Sequence, residues 1–242
     1  MEKNFSDFDG VLLIDKPAGC TSHDVVNIVR KTLKMRSVGH AGTLDPLATG
    51  LLIMLLGKAT KASQYLMSVD KVYEGSFLLG VETDTQDCEG DVVASKPVDI
   101  SEEALLAQMK TFVGDQYQTP PMFSAKKING VPLYKLARKG KEVEREPRFI
   151  RIESFELLSW NPETKEGGFR LHCSKGTYVR TVCHDLGAKI GCGGHMTSLR
   201  RIKSGSLDVA NAVSVEKLKS MTYSEVKKAL ISVAEAVPSI AF

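Results

Sequence analysis

The sequence has no long hydrophobic run, and this excludes a chain built on membrane-spanning helices. Its longest unbroken apolar run covers residues 51–56, whereas a spanning helix needs about 20 apolar residues. The first ten residues include Glu2, Asp7 and Asp9, and acidic residues there are not typical of a secretory signal peptide. We therefore expect a cytoplasmic protein with no membrane partner.

Cysteine is scarce and poorly arranged for disulfides or metal. The five cysteines are widely spaced and include no C-x-x-C pair, which fits a reducing compartment. Cys183, Cys192 and His195 could ligate zinc, but structural zinc uses paired ligands at tight, regular spacing. We therefore expect no metal, and a metalloenzyme that uses these three residues is an alternative.

The acidic stretch of residues 83–91 also lacks a metal pattern. Its carboxylates miss the ligand order at positions 1, 3 and 5, with glycine at 6, that a calcium loop requires. They are Asp84, Asp87, Glu89 and Asp91. The stretch predicts a solvated hairpin turn.

The periodicity of apolar residues predicts both strands and helices. Residues 10–15 and 51–56 are typical of strands. A helix capped by Thr21 or Ser22 would bury Val25, Val26, Val29 and Leu33 on one face. The other predicted elements are a loop at 38–50, helices at 58–68, 101–113, 132–139 and 178–190, strands at 71–81, 149–160 and 168–174, and two short helices within 213–230. Because strands and helices mix without a strict βαβ rhythm, we expect an α+β fold with a mixed sheet.

Positive charge is concentrated in one segment. Residues 121–150 contain eight Lys or Arg and three Glu, a net +5, so the rest of the +3 chain sums to −2. A basic segment on a nearly neutral body indicates either a docking surface for a polyanion or a solvated loop.

One loop carries a carboxylate in a stiff setting. Asp45 lies between Gly42 and Gly50 and directly before Pro46. Proline stiffens the chain, and glycine permits close approach of another backbone or a ligand. Rigid loops that connect strands often carry catalytic groups. Taken alone, however, this loop favours a structural role in which Asp45 only caps or braces a turn.

That loop belongs to a series of motifs in one order. They are the run from Gly10 to Pro17, Thr21-Ser22-His23-Asp24, the run from Gly39 to Gly50, Lys71-Val72-Tyr73, Gly80 with Thr83-Asp84-Thr85, Gln118-Thr119-Pro120-Pro121 with Ser124-Ala125, the run from Ser174 to Arg180, and Leu199-Arg200-Arg201. Over about residues 10–205 the chain thereby resembles the bacterial tRNA pseudouridine-55 synthases of the TruB family. The resemblance implies the pseudouridine synthase fold, with a largely antiparallel central sheet flanked by helices.

The resemblance also implies roles for the matching residues. Asp45 matches the catalytic aspartate, Tyr73 the tyrosine that stacks on the uracil, and Arg180 the arginine that pairs with the aspartate. The implied substrate-binding residues are His40 at the RNA loop, Tyr178 and Leu199 in the pocket, Lys16 as a buttress with Pro17, and Lys126 and Lys127 in the basic segment. Without the resemblance, Tyr73 would be taken for a core residue and His40 for a loop histidine bonded to local backbone.

By the same resemblance, residues 1–212 form the catalytic domain, with an RNA-arm-binding insertion at 121–150. Residues 213–242 form a short helical tail without a full PUA domain. The implied activity is isomerisation of uridine 55 to pseudouridine in the TΨC stem-loop of tRNA, by base flipping and an aspartate-dependent rearrangement of the glycosidic bond. We expect no cofactor, no guide RNA and no obligatory protein partner, and we expect a monomer.

The chemistry of this reaction fits the implied residues. It breaks N1–C1′ and rejoins the ribose to C5 without oxidation, so it needs no redox cofactor. A carboxylate can act as nucleophile or as electrostatic stabiliser, and a neighbouring arginine would keep it ionised. Attack of Asp45 on C6, attack on C1′ and assistance to a glycal intermediate all stay open. So do two other functions, an RNA chaperone that docks tRNA arms and a relative that acts on another RNA with or without a guide.

Overall fold

The computed structural model describes residues 8–124, 126–128 and 130–237, with only the backbone of Lys127 and Ile128. The chain forms two compact units. The first comprises Met1–Tyr73 and Leu199–Phe242, and the second comprises Glu74–Ser198. This division differs from the predicted boundary at residue 212, and the catalytic role of 1–212 stays a prediction.

The strands are, in chain order, β1 (Gly10–Lys16), β2 (Val38–Ala41), β3 (Thr49–Leu56), β4 (Lys71–Leu79), β5 (Val81–Thr83), β6 (Val92–Ser95), β7 (Gly114–Gln118), β8 (Lys127–Ile128), β9 (Val131–Pro132), β10 (Arg148–Asn161), β11 (Glu166–Cys173), β12 (Gly194–Ser204), β13 (Leu207–Asp208) and β14 (Val213–Ser214). The α-helices are α1 (Ser22–Leu33), α2 (Ser63–Met67), α3 (Glu102–Lys110), α4 (Leu133–Ala137), α5 (Val179–Ile190), α6 (Val215–Ser220), α7 (Tyr223–Ala229) and α8 (Val233–Ala236). Two 3-10 helices cover Gly57–Ala62 and Val209–Asn211.

The first unit is built on strands in the order β14-β1-β3-β12, with β2 also paired to β3. β1 and β3 run antiparallel, from Gly10 opposite Leu56 to Lys16 opposite Gly50. Alternate side chains of β3 point to opposite faces. Leu52 and Met54 pack with α1 on one face, while Leu51 and Ile53 pack with the segment around α8 on the other. Burial on both faces explains the unbroken apolar run at 51–56.

The second unit carries strands in the order β4-β11-β10-β7. β10 is antiparallel to both β11 and β7. Its core contains a series of aromatic contacts, since Phe155 makes edge contacts with Phe112 and Phe169 at centroid distances of 6.0 and 5.7 Å. Strands β4 and β12 each have residues in both units.

The predicted fold class is confirmed as α+β, with a mixed, mostly antiparallel sheet and helices. Two local predictions are wrong. The predicted loop at 38–50 begins with strand β2, which pairs with β3 from Val38 opposite Leu56 to Ala41 opposite Ile53. The predicted helix at 58–68 is a 3-10 turn, Gly57–Ala62, followed by the short α2.

Among the described residues no helix is long and apolar enough to cross a membrane.

Candidate active site

The loop that carries Asp45 connects β2 to β3 in the first unit and is tied to its surroundings on several sides. Asp45 itself is half-buried. Its carbonyl oxygen accepts from the Ala48 amide at 3.1 Å, which closes a turn. The Ser22 hydroxyl, near the start of α1, accepts from the Leu44 amide at 2.9 Å and donates to the Leu44 carbonyl at 3.1 Å. The residue before Asp45 therefore has both backbone groups fixed.

Lys16 supports the same loop from β1. Its side chain is fully buried, and its Nζ donates to the carbonyl oxygens of Pro17 at 2.9 Å, Pro46 at 3.2 Å and Ala48 at 2.6 Å. An ammonium group has three donors, and burying it without such partners would cost several kcal/mol. The structure thus brings Lys16 to the Asp45 loop, and its role as a buttress of an active site stays a prediction.

Arg201, the last residue of the Leu199-Arg200-Arg201 motif, is a third support of this loop. It lies on β12, only 1% exposed. Nε donates to the Leu51 carbonyl at 2.7 Å and Nη2 to the Gly42 carbonyl at 3.0 Å. These acceptors lie on either side of the loop, so one guanidinium joins both of its ends. No sequence pattern indicates these contacts, because Arg201 is about 150 residues away along the chain.

His40 lies on β2 rather than in a loop, which corrects the prediction for its local structure. Its Nδ1 is buried and has no hydrogen-bond partner in the described part of the chain. Burial, the charge of Arg201 and the charge of His23 all lower the pKa of His40 below its usual 6.5. The imidazole is therefore neutral at neutral pH, a state that suits a contact with a base better than an ion pair with a phosphate.

Two further residues with predicted roles, Tyr73 and Leu199, also lie in the first unit. Tyr73 on β4 is 8% exposed, and Leu199 on β12 is 9% exposed. The carbonyl oxygen of Leu199 accepts from the Thr49 hydroxyl at 3.4 Å, at the start of β3. The first unit therefore contains Asp45, Tyr73, His40, Lys16 and Leu199.

Arg180 and Tyr178 belong to the second unit, at the start of α5. Arg180 is 6% exposed. Its Nη1 lies 3.3 Å from Oδ2 of Asp87, and its Nη2 donates to the Phe123 carbonyl. Tyr178 is the N-cap of α5. The predicted pairing of Arg180 with Asp45 joins residues of different units and stays a prediction.

Asp87 corrects the interpretation of residues 83–91 as a solvated turn. It is 3% exposed, and besides its ion pair with Arg180 its Oδ1 accepts from the Thr85 hydroxyl at 2.6 Å and the Glu89 amide at 3.1 Å. The local sequence indicates the turn correctly, but it cannot indicate the burial of Asp87, because the partner cation Arg180 lies 93 residues later.

No group of three or more His, Cys, Asp or Glu side chains in the described ranges is arranged to hold a metal ion.

Most of the cations in the basic segment whose side chains the structure describes are exposed to solvent. Lys126 is half-buried. The exposed cations are Lys135, Arg138, Lys139, Lys141 and Arg148. The predicted helix at 132–139 is the shorter α4, and Arg138 after it lies 5.5 Å from the ring centroid of Tyr134. The side chain of Lys127, and Ala125 of the quoted motif, lie outside the described residues.

Comparison with known proteins identifies the class. The profile of the TruB family pseudouridylate synthase N-terminal domain matches residues 30–179, and that of the tRNA pseudouridylate synthase B C-terminal domain matches 180–237. The chain is 54% identical to the tRNA pseudouridine synthase B of Opitutus terrae over 97% of each chain. It is 49% identical to that of Aquifex aeolicus over 88% of this chain and 74% of the relative.

A solved structure agrees with these relatives. A chain in the crystal structure of a Cbf5-Nop10-Gar1 complex matches 95% of this chain with a TM-score of 0.76 and 28% identity, and this chain spans 62% of its length. Fold and sequence together define a pseudouridylate synthase, an isomerase, which confirms the expected class of enzyme. Within that class the chain belongs to the TruB family.

Proposed function

We propose that the chain converts uridine 55 in the TΨC arm of tRNA into pseudouridine, with Asp45 as the catalytic carboxylate. The relatives from Opitutus terrae and Aquifex aeolicus, both named tRNA pseudouridine synthase B, support the substrate and the reaction. The observation that carries the role of Asp45 is the rigid support of its loop by the buried side chains of Lys16 and Arg201. Two buried cations bound to the carbonyls of one short loop are more than a simple turn needs.

In the proposed reaction the target uridine leaves its stack and enters a pocket, because its glycosidic bond is not accessible inside a folded RNA arm. Tyr73 gives the uracil an aromatic face, and Tyr178 and Leu199 line the pocket. The N1–C1′ bond breaks, the base turns, and a C1′–C5 bond forms. N1 gains a proton and C5 loses one, so atoms and charge balance without a cofactor.

The proposed reaction requires an ionised Asp45. A carboxylate that stabilises a detached sugar or an activated uracil must be ionised. Contact with a base would desolvate Asp45 and raise its pKa, whereas a guanidinium favours the ionised form. Arg180 is proposed to supply that charge, and its bond to Asp87 fixes its orientation. Attack on C6, attack on C1′ and a glycal route all use the same ionised carboxylate.

The exposed cations of the basic segment are proposed to hold the RNA arm. Phosphate contacts from the exposed Lys139 and Lys141, together with the half-buried Lys126, would set its position without reading its sequence. Selection of uridine 55 would then depend on the shape of the T loop, as is usual for folded RNA. This mode predicts binding that weakens steeply with added salt.

The test is tritium release from tRNA labelled at uracil C5. We expect release with the wild-type protein, none with Asp45→Asn, and wild-type release with Asp99→Asn, which alters an exposed carboxylate of the second unit. A transcript with cytidine at position 55 should release nothing. Release that persists in Asp45→Asn would overturn the role of Asp45, and release from the position-55 variant would overturn the specificity.

The same assay separates the alternatives. An RNA chaperone would bind tRNA without release by the wild type. A guide-dependent or partner-dependent enzyme is a second candidate because one similar solved structure is a Cbf5-Nop10-Gar1 complex, and such an enzyme would be inactive on tRNA alone. The monomeric state, the cytoplasmic location and the lack of a protein partner stay predictions.

A further inference from the structure

Gln118 makes a two-point contact with the backbone of Tyr178. It is the last residue of β7 and only 5% exposed. Its Oε1 accepts from the Tyr178 amide at 2.8 Å, and its Nε2 donates to the Tyr178 carbonyl at 3.1 Å. The two residues are 60 positions apart. Gln118 begins the Gln118-Thr119-Pro120-Pro121 motif, and the proposed reaction gives it no role.

At the start of α5 the Gln118 side chain bonds the N–H and C=O of Tyr178 as the backbone of a neighbouring strand would. Tyr178 has extended backbone angles, φ −95° and ψ 105°, and its own side chain makes no capping bond. A single hydrogen bond would hold only one of the two peptide groups that flank Tyr178, whereas a donor and an acceptor on one rigid amide hold both. Arg180 follows two residues later, in the first turn of α5, so the same contact also sets where its side chain begins.

We propose that Gln118 is a positioning residue that holds Tyr178 and the start of α5 in the geometry required for isomerisation. This rests on the proposed function. Gln118 acts through the backbone of Tyr178, so it is not a catalytic residue. The competing explanation is that the contact only stabilises the fold, in which case its loss would lower stability without slowing the folded enzyme.

Gln118→Met tests the proposal, because methionine keeps the length of the side chain and removes both hydrogen bonds. We expect the single-turnover rate of tritium release to fall about 10- to 100-fold, since a displacement of about 1 Å at a reacting group can cost a hundredfold. The affinity for tRNA, measured by filter binding, should change less than about threefold because the basic segment is untouched. The rate is measured where circular dichroism shows each variant to be folded.

Gln116→Met is the matched control. Gln116 lies two residues earlier on the same face of β7, and its Nε2 donates to the Phe112 carbonyl at 2.5 Å rather than to α5. Gln116→Met loses one side-chain hydrogen bond to backbone and none to Tyr178, whereas Gln118→Met loses two, both to Tyr178. We expect the rate of Gln116→Met to stay within about twofold of wild type, because this substitution does not displace Tyr178 or α5. Equal losses of rate in both variants would overturn the proposal.

Gln118→Glu gives a second measurement if Gln118→Met does not fold. An ionised glutamate can accept from the Tyr178 amide but repels its carbonyl, whereas a protonated glutamate can both accept and donate. The rate of Gln118→Glu relative to wild type should therefore rise as the pH falls, and a ratio that stays constant would contradict the proposal. If the wild type releases tritium and both Gln118 variants keep the full rate, the positioning role of Gln118 is rejected and the proposed function is not. No release by the wild type rejects the proposed function and positioning with it.

Discussion

Nη1 of Arg180 lies 3.3 Å from Oδ2 of Asp87, and the two side chains are only 7% and 4% exposed. Such a pair is held away from solvent screening, so its geometry is more sharply defined than that of a surface ion pair. Asp87 is itself oriented by the Thr85 hydroxyl and the Glu89 amide. A proposed active-site arginine therefore receives its orientation from a turn that the sequence marks only as acidic.

Removing the charge of Asp87 should destabilise the protein. Asp87→Asn takes an anionic partner from a buried guanidinium, and breaking a buried pair from one side costs about 3 kcal/mol or more. We expect that loss in the free energy of unfolding measured with urea, together with slower tritium release, because Arg180 is no longer oriented.

Glu89→Gln provides the control for this prediction. Glu89 lies in the same turn and is exposed, so its substitution should change stability by less than about 0.5 kcal/mol. Equal losses in the two variants would mean that the turn, and not the ion pair, accounts for the effect.

Substitution of Lys16 should affect the rate of the reaction. Lys16→Met removes three hydrogen bonds to carbonyls around the Asp45 loop, and the loop should shift. A shift of about 1 Å would lower the single-turnover rate about a hundredfold. Lys58→Met, at a lysine of the same unit whose side chain is 83% exposed, should keep wild-type activity. A folded Lys16→Met protein with full activity would show that the buttress is dispensable.

The sequence predicts those parts of the fold that depend on local pattern. The helix at Ser22–Leu33 is capped by Thr21, one of the two predicted caps, and buries all four predicted residues. α5 ends where Gly191 adopts a positive φ of 92°, as the predicted stop requires. Both follow from side-chain periodicity and the conformational preference of glycine, which a sequence displays directly.

The contacts that organise the site could not be predicted, because they join distant residues. Lys16 matched a buttressing motif, but its acceptors at Pro46 and Ala48 lie 30 and 32 residues away. β2 was missed because it is short, contains Gly39, and forms only by pairing with β3. Strand formation of this kind depends on a partner more than on local propensity. The hydrogen bonds of Arg201 to Leu51 and Gly42, and the ion pair of Asp87 with Arg180, likewise join residues far apart in the sequence.

The lowered pKa of His40 predicts a stability that depends on pH. Because burial and the charges of Arg201 and His23 disfavour the imidazolium, the folded-state pKa lies below 6.5. Above about pH 6.5 His40 is neutral in both states. As the pH falls below that value the unfolded chain binds a proton first, so stability decreases until the folded-state pKa is reached.

Unfolding with urea at pH 7.5 and 5.5 measures this effect. The decrease in the free energy of unfolding between the two pH values should be smaller in His40→Gln than in the wild type. An NMR titration of the His40 ring should give a midpoint below 6.5. A midpoint above that value would contradict the prediction, since it would require an unrecognised anion near the ring.

Gly50 should tolerate no side chain, since it combines an unusual backbone angle with a close backbone neighbour. Its φ is +96°, and a Cβ there would lie 2.3 Å from the carbonyl oxygen of Arg201, which β12 places directly opposite. Gly50→Ala should therefore cost about 2–5 kcal/mol, the sum of strain and overpacking. Gly19→Ala, in the same unit with φ +79° and nothing within 4 Å, should show only the strain, about 1–2 kcal/mol. Equal losses on urea unfolding would mean that β12 yields at Arg201, and the Asp45 loop would then be less rigidly held than its hydrogen bonds indicate.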